Sequence, residues 1–309
     1  MEDYLVMGIQ ESEQKRTVPI CMFDSYNDAI ASFLDKHSDE MRPETVKQLS
    51  AKIVERADLW CQTPSDDLSG MSPQEVFEGI ESPQEALEMF KIGAVRSDFG
   101  FPLKFLERLT ELGGEVFNGL IELALFPTWV AGDDYKKEIT EDLIVAAEAM
   151  KILGAAKPDG LFELATAKLI ESENPEEYIA DAYIELSKKY GKSAYEHVTG
   201  QLIRICDSGE KITPAHEYLM SALSQAEDAK IRTDSFDCMR KCFRCMDNKM
   251  LGAMYIGDLG NPRGIRVLKS FLDSGAADGD RELFYQVVSS VRKLGGDITD
   301  IHDPFRDFA

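Results

Sequence analysis

The sequence predicts an all-α chain of 309 residues in which pairs of helices stack into an α-α superhelix. Three observations predict this architecture. Apolar residues recur with the 3.6-residue helical period, helix starts and ends are marked by capping residues, and one turn pattern repeats along the chain. Beyond residue 25, no segment alternates apolar and polar residues long enough to predict a strand.

The first 25 residues leave two interpretations open. Residues 4–7 and 18–23 form either a short strand pair or an irregular arm packed on a helix. Pro19 would confine the second strand to a sheet edge, because proline lacks the N–H that a central strand donates. From Ser25 onward the helical period dominates, and a further helix is predicted to begin at Pro43. We expect residues 1–70 to form a helical N-terminal region.

Two helix starts carry the same four-residue pattern. Ser72-Pro73-Gln74-Glu75 and Ser82-Pro83-Gln84-Glu85 each place a serine where its hydroxyl can cap a helix, followed by a proline at the first helical position. The glutamate falls in the first turn, where the helix dipole favours negative charge. Each pattern predicts that a helix follows, within a second region of stacked helices that spans residues 71–309.

A turn recurs through this second region, where an apolar helix ends in leucine-glycine or a similar pair and another apolar helix follows. The residues that precede the turns are 112, 153, 190, 223, 259 and 294, which lie 33 to 41 residues apart. Glycine suits such a helix end because it tolerates the left-handed backbone. One helix pair buries only half of its apolar surface, so the near-constant spacing predicts five or six stacked pairs.

The clearest copy of the turn is Leu259-Gly260-Asn261-Pro262-Arg263-Gly264-Ile265. Here Gly260 is expected to end one helix, Asn261 to cap the next and Pro262 to begin it. This segment resembles the signature of HEAT-like repeats, particularly the short type found in phycobilisome-lyase-like proteins. The other turns resemble it more loosely, and the resemblance covers at most residues 83–309. It implies a curved, armadillo-like superhelix that binds proteins, and no shared catalytic residues.

In such repeats the second helix of each pair tends to line the concave face, where a partner is expected to bind. The second helices are expected to begin near Val116, Pro158, Ser193, Lys230 and Pro262. Polar residues on these helices are the candidate binding residues. They are Glu163, Glu196, Gln201, Arg204, Arg263 and Arg266.

Charge is distributed unevenly along the chain. The whole chain has a formal charge of −22, whereas residues 229–309 carry 13 lysines and arginines against 12 aspartates and glutamates. The basic stretch between residues 230 and 269 is either a solvated face of mixed charge or a surface that binds an acidic ligand, the acidic half of the chain or a second molecule. The negative total argues against a nucleic-acid partner, because binding phosphates requires a basic surface.

Three cysteines form the sharpest local motif, in the segment Cys238-Met239-Arg240-Lys241-Cys242-Phe243-Arg244-Cys245. Their C-x3-C-x2-C spacing resembles the loop of radical SAM enzymes, in which three thiolates hold an iron–sulfur cluster. The same spacing places all three on one helix face beside Phe236 and Phe243, where free cysteines are commonly buried. Since no barrel is predicted, we expect a metal-free helix with mostly buried thiols. Cys206 is a further thiol, but nothing requires it as a ligand.

No other motif predicts catalysis. The histidines lack metal-binding spacing, no phosphate-binding glycine loop occurs, and acidic pairs such as Asp133-Asp134 are explained by helix starts. We therefore predict a non-enzymatic protein-binding scaffold or adaptor with no metal and no cofactor. Two alternatives stay open. One is an immunity or regulatory protein that neutralises a basic partner, and the other is a bilin-lyase-like protein that binds a tetrapyrrole.

The expected location is the cytoplasm. The chain begins with an acidic segment rather than a signal segment, and no stretch approaches about 18 uncharged apolar residues, so no membrane partner is expected. Six cysteines without a disulfide-like spacing indicate reduced thiols. The expected partner is a protein whose identity the sequence does not indicate, and the sequence predicts no particular oligomeric state.

Overall fold

A computed structural model describes residues 2–38, 46–130 and 139–305. Helix makes up 74% of the chain, and within the described ranges there is no strand. Val130 and Pro175 form a single isolated antiparallel bridge. The prediction of an all-α chain is confirmed. The predicted helix start at Pro43 and the acidic pair Asp133-Asp134 lie outside the described residues.

The chain divides into two compact units, Met1–Ala124 with Thr140–Glu148, and Leu125–Ile139 with Ala149–Ala309. The described helices of the first unit are α1 (Glu2–Lys36), α2 (Val46–Gln62), α3 (Pro73–Glu78), α4 (Pro83–Arg96), α5 (Leu103–Glu111) and α6 (Gly114–Leu125). The boundary between the units falls within α7 (Glu141–Ala156). The described helices of the second unit are α8 (Leu161–Glu171), α9 (Glu177–Tyr190), α10 (Lys192–Ser208), α11 (Pro214–Ser224), α12 (Ala229–Asp234), α13 (Phe236–Cys245), α14 (Lys249–Leu259), α15 (Arg263–Asp273) and α16 (Arg281–Lys293). The predicted division at residue 70 stays a prediction.

The N-terminal strand pair and the irregular arm are both wrong, because residues 2–36 form the single helix α1, with Pro19 inside it. The burial of Met22, Tyr26 and Ile30 explains why this segment is helical. Residues four apart lie on one face of a helix, and all three are buried. The apolar run that suggested a strand therefore continues the helical stripe of the residues after it. Burial of this stripe stabilises the helix against the loss of the hydrogen bond that Pro19 cannot donate.

An aromatic cluster forms part of the core of the first unit. Phe23 in α1 lies edge-on to Phe101 and Phe105, with ring centroids 6.1 and 6.3 Å away. Phe90 in α4 stacks on Phe101 at 5.1 Å. Gly93 in α4 permits this packing, since a Cβ at that position would lie 2.5 Å from the Phe23 ring.

Both predicted serine caps are confirmed. Ser72 Oγ accepts the N–H of Glu75 at 3.3 Å, and the Glu75 carboxylate accepts the N–H of Ser72 at 2.7 Å, which completes a capping box at the start of α3. These hydrogen bonds from Ser72 lower the pKa of the Glu75 carboxyl. Ser82 Oγ accepts the N–H of Glu85 at 3.2 Å at the start of α4.

Two rows of helices make up most of the second unit. In one row α9, α11, α14 and α16 contact one another in chain order, and in the other row α8, α10, α13 and α15 do so. Neighbouring helices of the two rows also pack together, as α8 on α9, α10 on α11, α13 on α14 and α15 on α16. The helix expected from Lys230 is divided at Ser235, which ends α12 and begins α13.

The predicted turn at Gly260 is confirmed. Gly260 ends α14 with φ +70°, in the left-handed conformation. The Asn261 side chain accepts the N–H of Arg263 at 3.1 Å. Helix α15 begins one residue later than predicted, because Pro262 is its N-cap residue and Arg263 its first residue. Glycines with positive φ also occupy the predicted turns at Gly113, Gly191 and Gly295.

One predicted turn is displaced. Gly154 lies inside α7, which continues to Ala156. A Cβ at Gly154 would lie 3.3 Å from side-chain atoms of Leu186 and Lys189 in α9, so this glycine permits close helix packing rather than a helix end. The residue that leaves the helix in the left-handed conformation is Lys157, with φ +51°.

His216 in α11 is a buried polar residue. Its Nδ1 accepts the N–H of Thr213 at 3.0 Å, and its buried Nε2 has no hydrogen-bond partner among the described residues. Burial lowers the pKa of His216 below its ordinary value. The nearby positive charge of Arg204 acts in the same direction, and the negative charge of Glu210 opposes it.

Replacing Gly260 with valine should reduce the free energy of unfolding by about 1–2 kcal/mol or more, because a β-branched side chain is strained at φ +70°. Gly200 offers a control of opposite sign. It lies inside α10 with no atom within 4 Å of its missing Cβ, so Gly200→Ala should stabilise the fold by roughly 0.5–1 kcal/mol. Thermal melts followed by circular dichroism measure both effects. A Gly260→Val protein that melts at the wild-type temperature would show that the turn lies elsewhere.

The lowered pKa of His216 predicts a loss of stability as the pH falls below about 6.5, the ordinary histidine pKa. The unfolded chain binds the proton first, so protonation favours unfolding until the pH is also below the folded-state pKa. His216→Asn should reduce this dependence, since its side-chain oxygen can still accept the Thr213 N–H without titrating. Urea unfolding at pH values of about 7.5 and about 5.5 tests this. If the free energy of unfolding depends on pH equally in the wild type and in the variant, His216 is not the group responsible.

Candidate functional site

The basic face of α13 forms one side of the candidate site. Phe236, Met239 and Phe243 are buried, and their spacing places them on one side of the helix. Arg240 and Arg244 are four residues apart and therefore lie on a common face, with Arg240 half-buried and Arg244 exposed. The sequence of this short helix thus separates an apolar inner face from a cationic outer face.

Helix α15 supplies the facing side. Leu268 and Leu272 are buried, so their spacing of four defines the inner face of this helix. Arg263 and Arg266 are exposed and lie three residues apart on the outer face. The contact between α13 and α15 therefore brings four arginines together from two segments of the chain.

Between these helices lies a cavity of about 630 Å³, which we call the arginine groove. It is lined by Phe236, Arg240, Phe243, Arg244, Arg263, Arg266, Val267, Ser270 and Phe271. Guanidinium groups thus share the groove with aromatic and aliphatic carbon. A groove of this kind offers both charge-assisted hydrogen bonds and apolar contact to a ligand.

One carboxylate holds two of the four arginines. Arg263 Nη2 donates to both oxygens of Asp237, at 2.9 and 3.0 Å, and its guanidinium lies 4.6 Å from the centre of the Phe236 ring. Arg240 lies 3.2 Å from the same Asp237 carboxylate. Because two cations share one anion, this part of the groove keeps a net positive charge.

Arg244 and Arg266 are uncompensated. Among the described residues, neither guanidinium has a carboxylate within 4.0 Å or a hydrogen-bond acceptor. Arg244 differs in this respect from its neighbour Lys249, whose Nζ donates to the backbone oxygens of Phe243, Arg244 and Met246 at 2.6, 3.0 and 2.6 Å. The two arginines are therefore free to bind an anionic group from outside.

A second cavity, of about 370 Å³, lies on the other side of α13, where this helix meets α10. It is lined by Ile203, Asp237, Cys238, Arg240, Lys241 and Arg244. Lys241 forms an ion pair with Asp207 of α10. Arg240 and Arg244 border both cavities, so the outer face of α13 is the centre of the basic surface.

Two of the six sequence-predicted binding residues, Arg263 and Arg266, line the arginine groove. The other four lie outside it and do not form a common site with them. Glu163 is exposed on α8, and α10 carries Glu196, Gln201 and Arg204. Glu196 lies 3.5 Å from Lys192 of the same helix.

Arg240 and Arg244 were absent from the predicted binding residues, although the sequence placed them in the basic stretch between residues 230 and 269. Their spacing of four is the signal that a search for clustered arginines would have used. The sequence could not show that α15 lies against α13.

The cysteine motif forms helix α13, as predicted. Cys238 and Cys242 are buried, whereas Cys245 is exposed. Cys206 of α10 lies beside this helix, with its Sγ 3.6 Å from the Sγ of Cys242. Within the described ranges, no three cysteine, histidine or acidic side chains are arranged to hold a metal ion.

Comparisons with family models, with curated proteins and with solved structures found no match to this chain. Among the described helices, none combines the length and the apolar character that crossing a bilayer requires.

Because Arg244 and Arg266 have no partner, Arg244→Gln and Arg266→Gln should change the free energy of unfolding by less than about 0.5 kcal/mol. The matched control is Lys249→Met, which also removes one positive charge but breaks three hydrogen bonds at the end of α13. It should cost about 1–2 kcal/mol. Urea unfolding of the three variants compares them directly. A loss above about 1 kcal/mol for either arginine variant would indicate a structural role.

Proposed function

We propose that this chain is a non-enzymatic protein-binding scaffold that acts in the cytoplasm and is built from HEAT-like helix pairs. The partner surface is the row formed by α8, α10, α13 and α15, and the arginine groove is its principal binding site. The segment that it binds is acidic, with carboxylates for the arginines and apolar side chains for the aromatic residues of the groove.

The order of the helices supports the repeat proposal. Helices that precede the predicted turns, such as α9, α11, α14 and α16, form one row, and those that follow form the other. Second helices of HEAT-like pairs line the concave face, so the row that contains α13 and α15 is the expected binding face. All six cysteines are free, which suits a reducing cytoplasm.

The observation that carries the binding proposal is the pair Arg244 and Arg266, uncompensated beside aromatic carbon. An arginine can bind a carboxylate through two parallel hydrogen bonds, which makes it well suited to recognise aspartate or glutamate. The partly buried rings of the groove, such as Phe271, exclude water and strengthen these contacts. A partner must supply the anion, since no described residue does.

An acidic peptide fits the charge of the molecule better than a nucleic acid does. The chain carries a formal charge of −22, and the groove offers only four arginines, two of which already share Asp237. Nucleic acid presents a long row of phosphates, most of which would lie beside acidic protein surface. A short acidic segment can enter the groove without that wider repulsion, because salt screens charges beyond about 8 Å.

A direct test uses a fluorescently labelled peptide in which pairs of glutamates flank single leucines, with a second peptide that has glutamine in place of every glutamate. We expect the first to bind and the second not to bind in fluorescence anisotropy. The double variant R244Q/R266Q should weaken binding about tenfold, since each exposed ion pair contributes up to about 1 kcal/mol. Raising the salt from about 0.05 M to about 0.3 M should weaken binding to the wild type more than to the variant.

The control variant is Lys230→Gln, which removes an exposed positive charge in α12, outside the groove. It should bind the acidic peptide as the wild type does. Equal affinity for the two peptides, or equal affinity of the wild type and the double variant, would refute the proposed site. Tighter binding of a short single-stranded DNA than of the acidic peptide would indicate that the groove binds nucleic acid instead.

A further inference from the structure

Two cysteines from different helices lie within reach of one another in the second unit. The Sγ of Cys206, in α10, is 3.6 Å from the Sγ of Cys242, in α13, which is within hydrogen-bonding distance for sulfur. We call these two residues the thiol pair. A disulfide between them would require the sulfur atoms to approach to about 2.05 Å.

The two thiols have different environments. Cys206 is half-buried and Cys242 is fully buried, so a small reagent reaches Cys206 first. The hydrogen bond between Cys206 and Cys242 lowers the pKa of Cys206 to about 7, and Cys245 and the ammonium of Lys241 also lower it. Burial and the negative charge of Asp207 oppose this shift. The pKa of Cys242 is raised by its hydrogen bonds to neighbouring thiols and by burial, so it stays protonated. At neutral pH, Cys206 is therefore partly in the reactive thiolate form, whereas Cys242 remains a thiol.

We propose that the thiol pair is an oxidation site, at which hydrogen peroxide converts Cys206 and Cys242 into a reversible intramolecular disulfide. The inference rests on the distance between the sulfur atoms and on the accessibility of Cys206, and it is independent of the binding proposal. Peroxide-dependent disulfides of this type are the kind that proteins of a reducing compartment form transiently.

The chemistry balances in two steps. The Cys206 thiolate attacks one oxygen of the peroxide, an S–O bond forms, the O–O bond breaks, and the hydroxide that leaves takes up a proton to become water. The Cys242 sulfur then attacks the oxidised Cys206 sulfur. An S–S bond forms, the S–O bond breaks, and the hydroxide released combines with the proton that Cys242 loses. Two thiols are oxidised, one peroxide is reduced, and two waters are produced.

The test exposes the wild-type protein to hydrogen peroxide, blocks the remaining thiols with iodoacetamide and maps the tryptic peptides by mass spectrometry. The sequence makes the map unambiguous, because trypsin places each cysteine of this region on its own peptide. Those peptides are Thr233–Arg240 for Cys238, Ile205–Lys211 for Cys206, Cys242–Arg244 for Cys242 and Cys245–Lys249 for Cys245. We expect a cross-link between the second and the third, loss of two of the six free thiols, and full reversal by dithiothreitol.

The matched controls separate this site from general oxidation. C21S removes a half-buried cysteine of α1 and should leave the cross-link intact, whereas C206S should abolish it. K241Q should raise the midpoint of the pH profile for Cys206 alkylation above about 7. A cross-link from Cys206 to Cys245, a disulfide between two molecules, or sulfinic acid on Cys206 with Cys242 still free would each overturn the proposal. Because the peptide map uses the wild-type chain, it tests the cross-link even where a variant fails to fold.

Discussion

The close packing of α14 against α13 and α16 is the constraint on which the last helix pairs depend. Two glycines make it possible. A Cβ at Gly252 would lie 2.7 Å from the Phe243 ring, and one at Gly257 would lie 3.0 Å from Ser290 of α16. Each glycine costs the helix about 1 kcal/mol relative to alanine, which the packing offsets. With Phe243 held against α14, Arg244 is left exposed on the adjacent face of α13, because consecutive residues of a helix point about 100° apart.

This orientation explains how an acidic chain presents a cationic groove. Arginine side chains have long aliphatic stems that can lie along apolar surface while the guanidinium reaches water. The Arg263 guanidinium lies over the face of the Phe236 ring and donates to Asp237 at the same time. The single aspartate cannot neutralise all four arginines, so a positive potential persists over a short distance. Beyond about 8 Å, salt screens the negative charge of the rest of the molecule.

Helix α13 carries two kinds of chemistry on its two faces. Its outer face holds the guanidinium groups, and its inner face holds the sulfur of Cys242 against α10. Lys241 of the same helix influences the thiol chemistry. Its ammonium forms an ion pair with Asp207 and also lowers the pKa of Cys206. A disulfide in the thiol pair would tie α13 covalently to α10 and so fix the helix that carries Arg240 and Arg244.

Sequence alone determined the features that depend on neighbouring residues. The helical class, the caps at Ser72 and Ser82 and the left-handed turn at Gly260 follow from local hydrogen bonds and backbone sterics, which act within a few residues. The strand prediction before residue 25 failed because a short apolar run fits either period until its burial partners are known. Only the tertiary structure decided which distant side chains meet. Cys206 and Cys242 are 36 residues apart, and Arg240 and Arg266 come from separate helices. Their proximity arises from helix packing, and packing is set by the shapes of both surfaces together rather than by either segment alone.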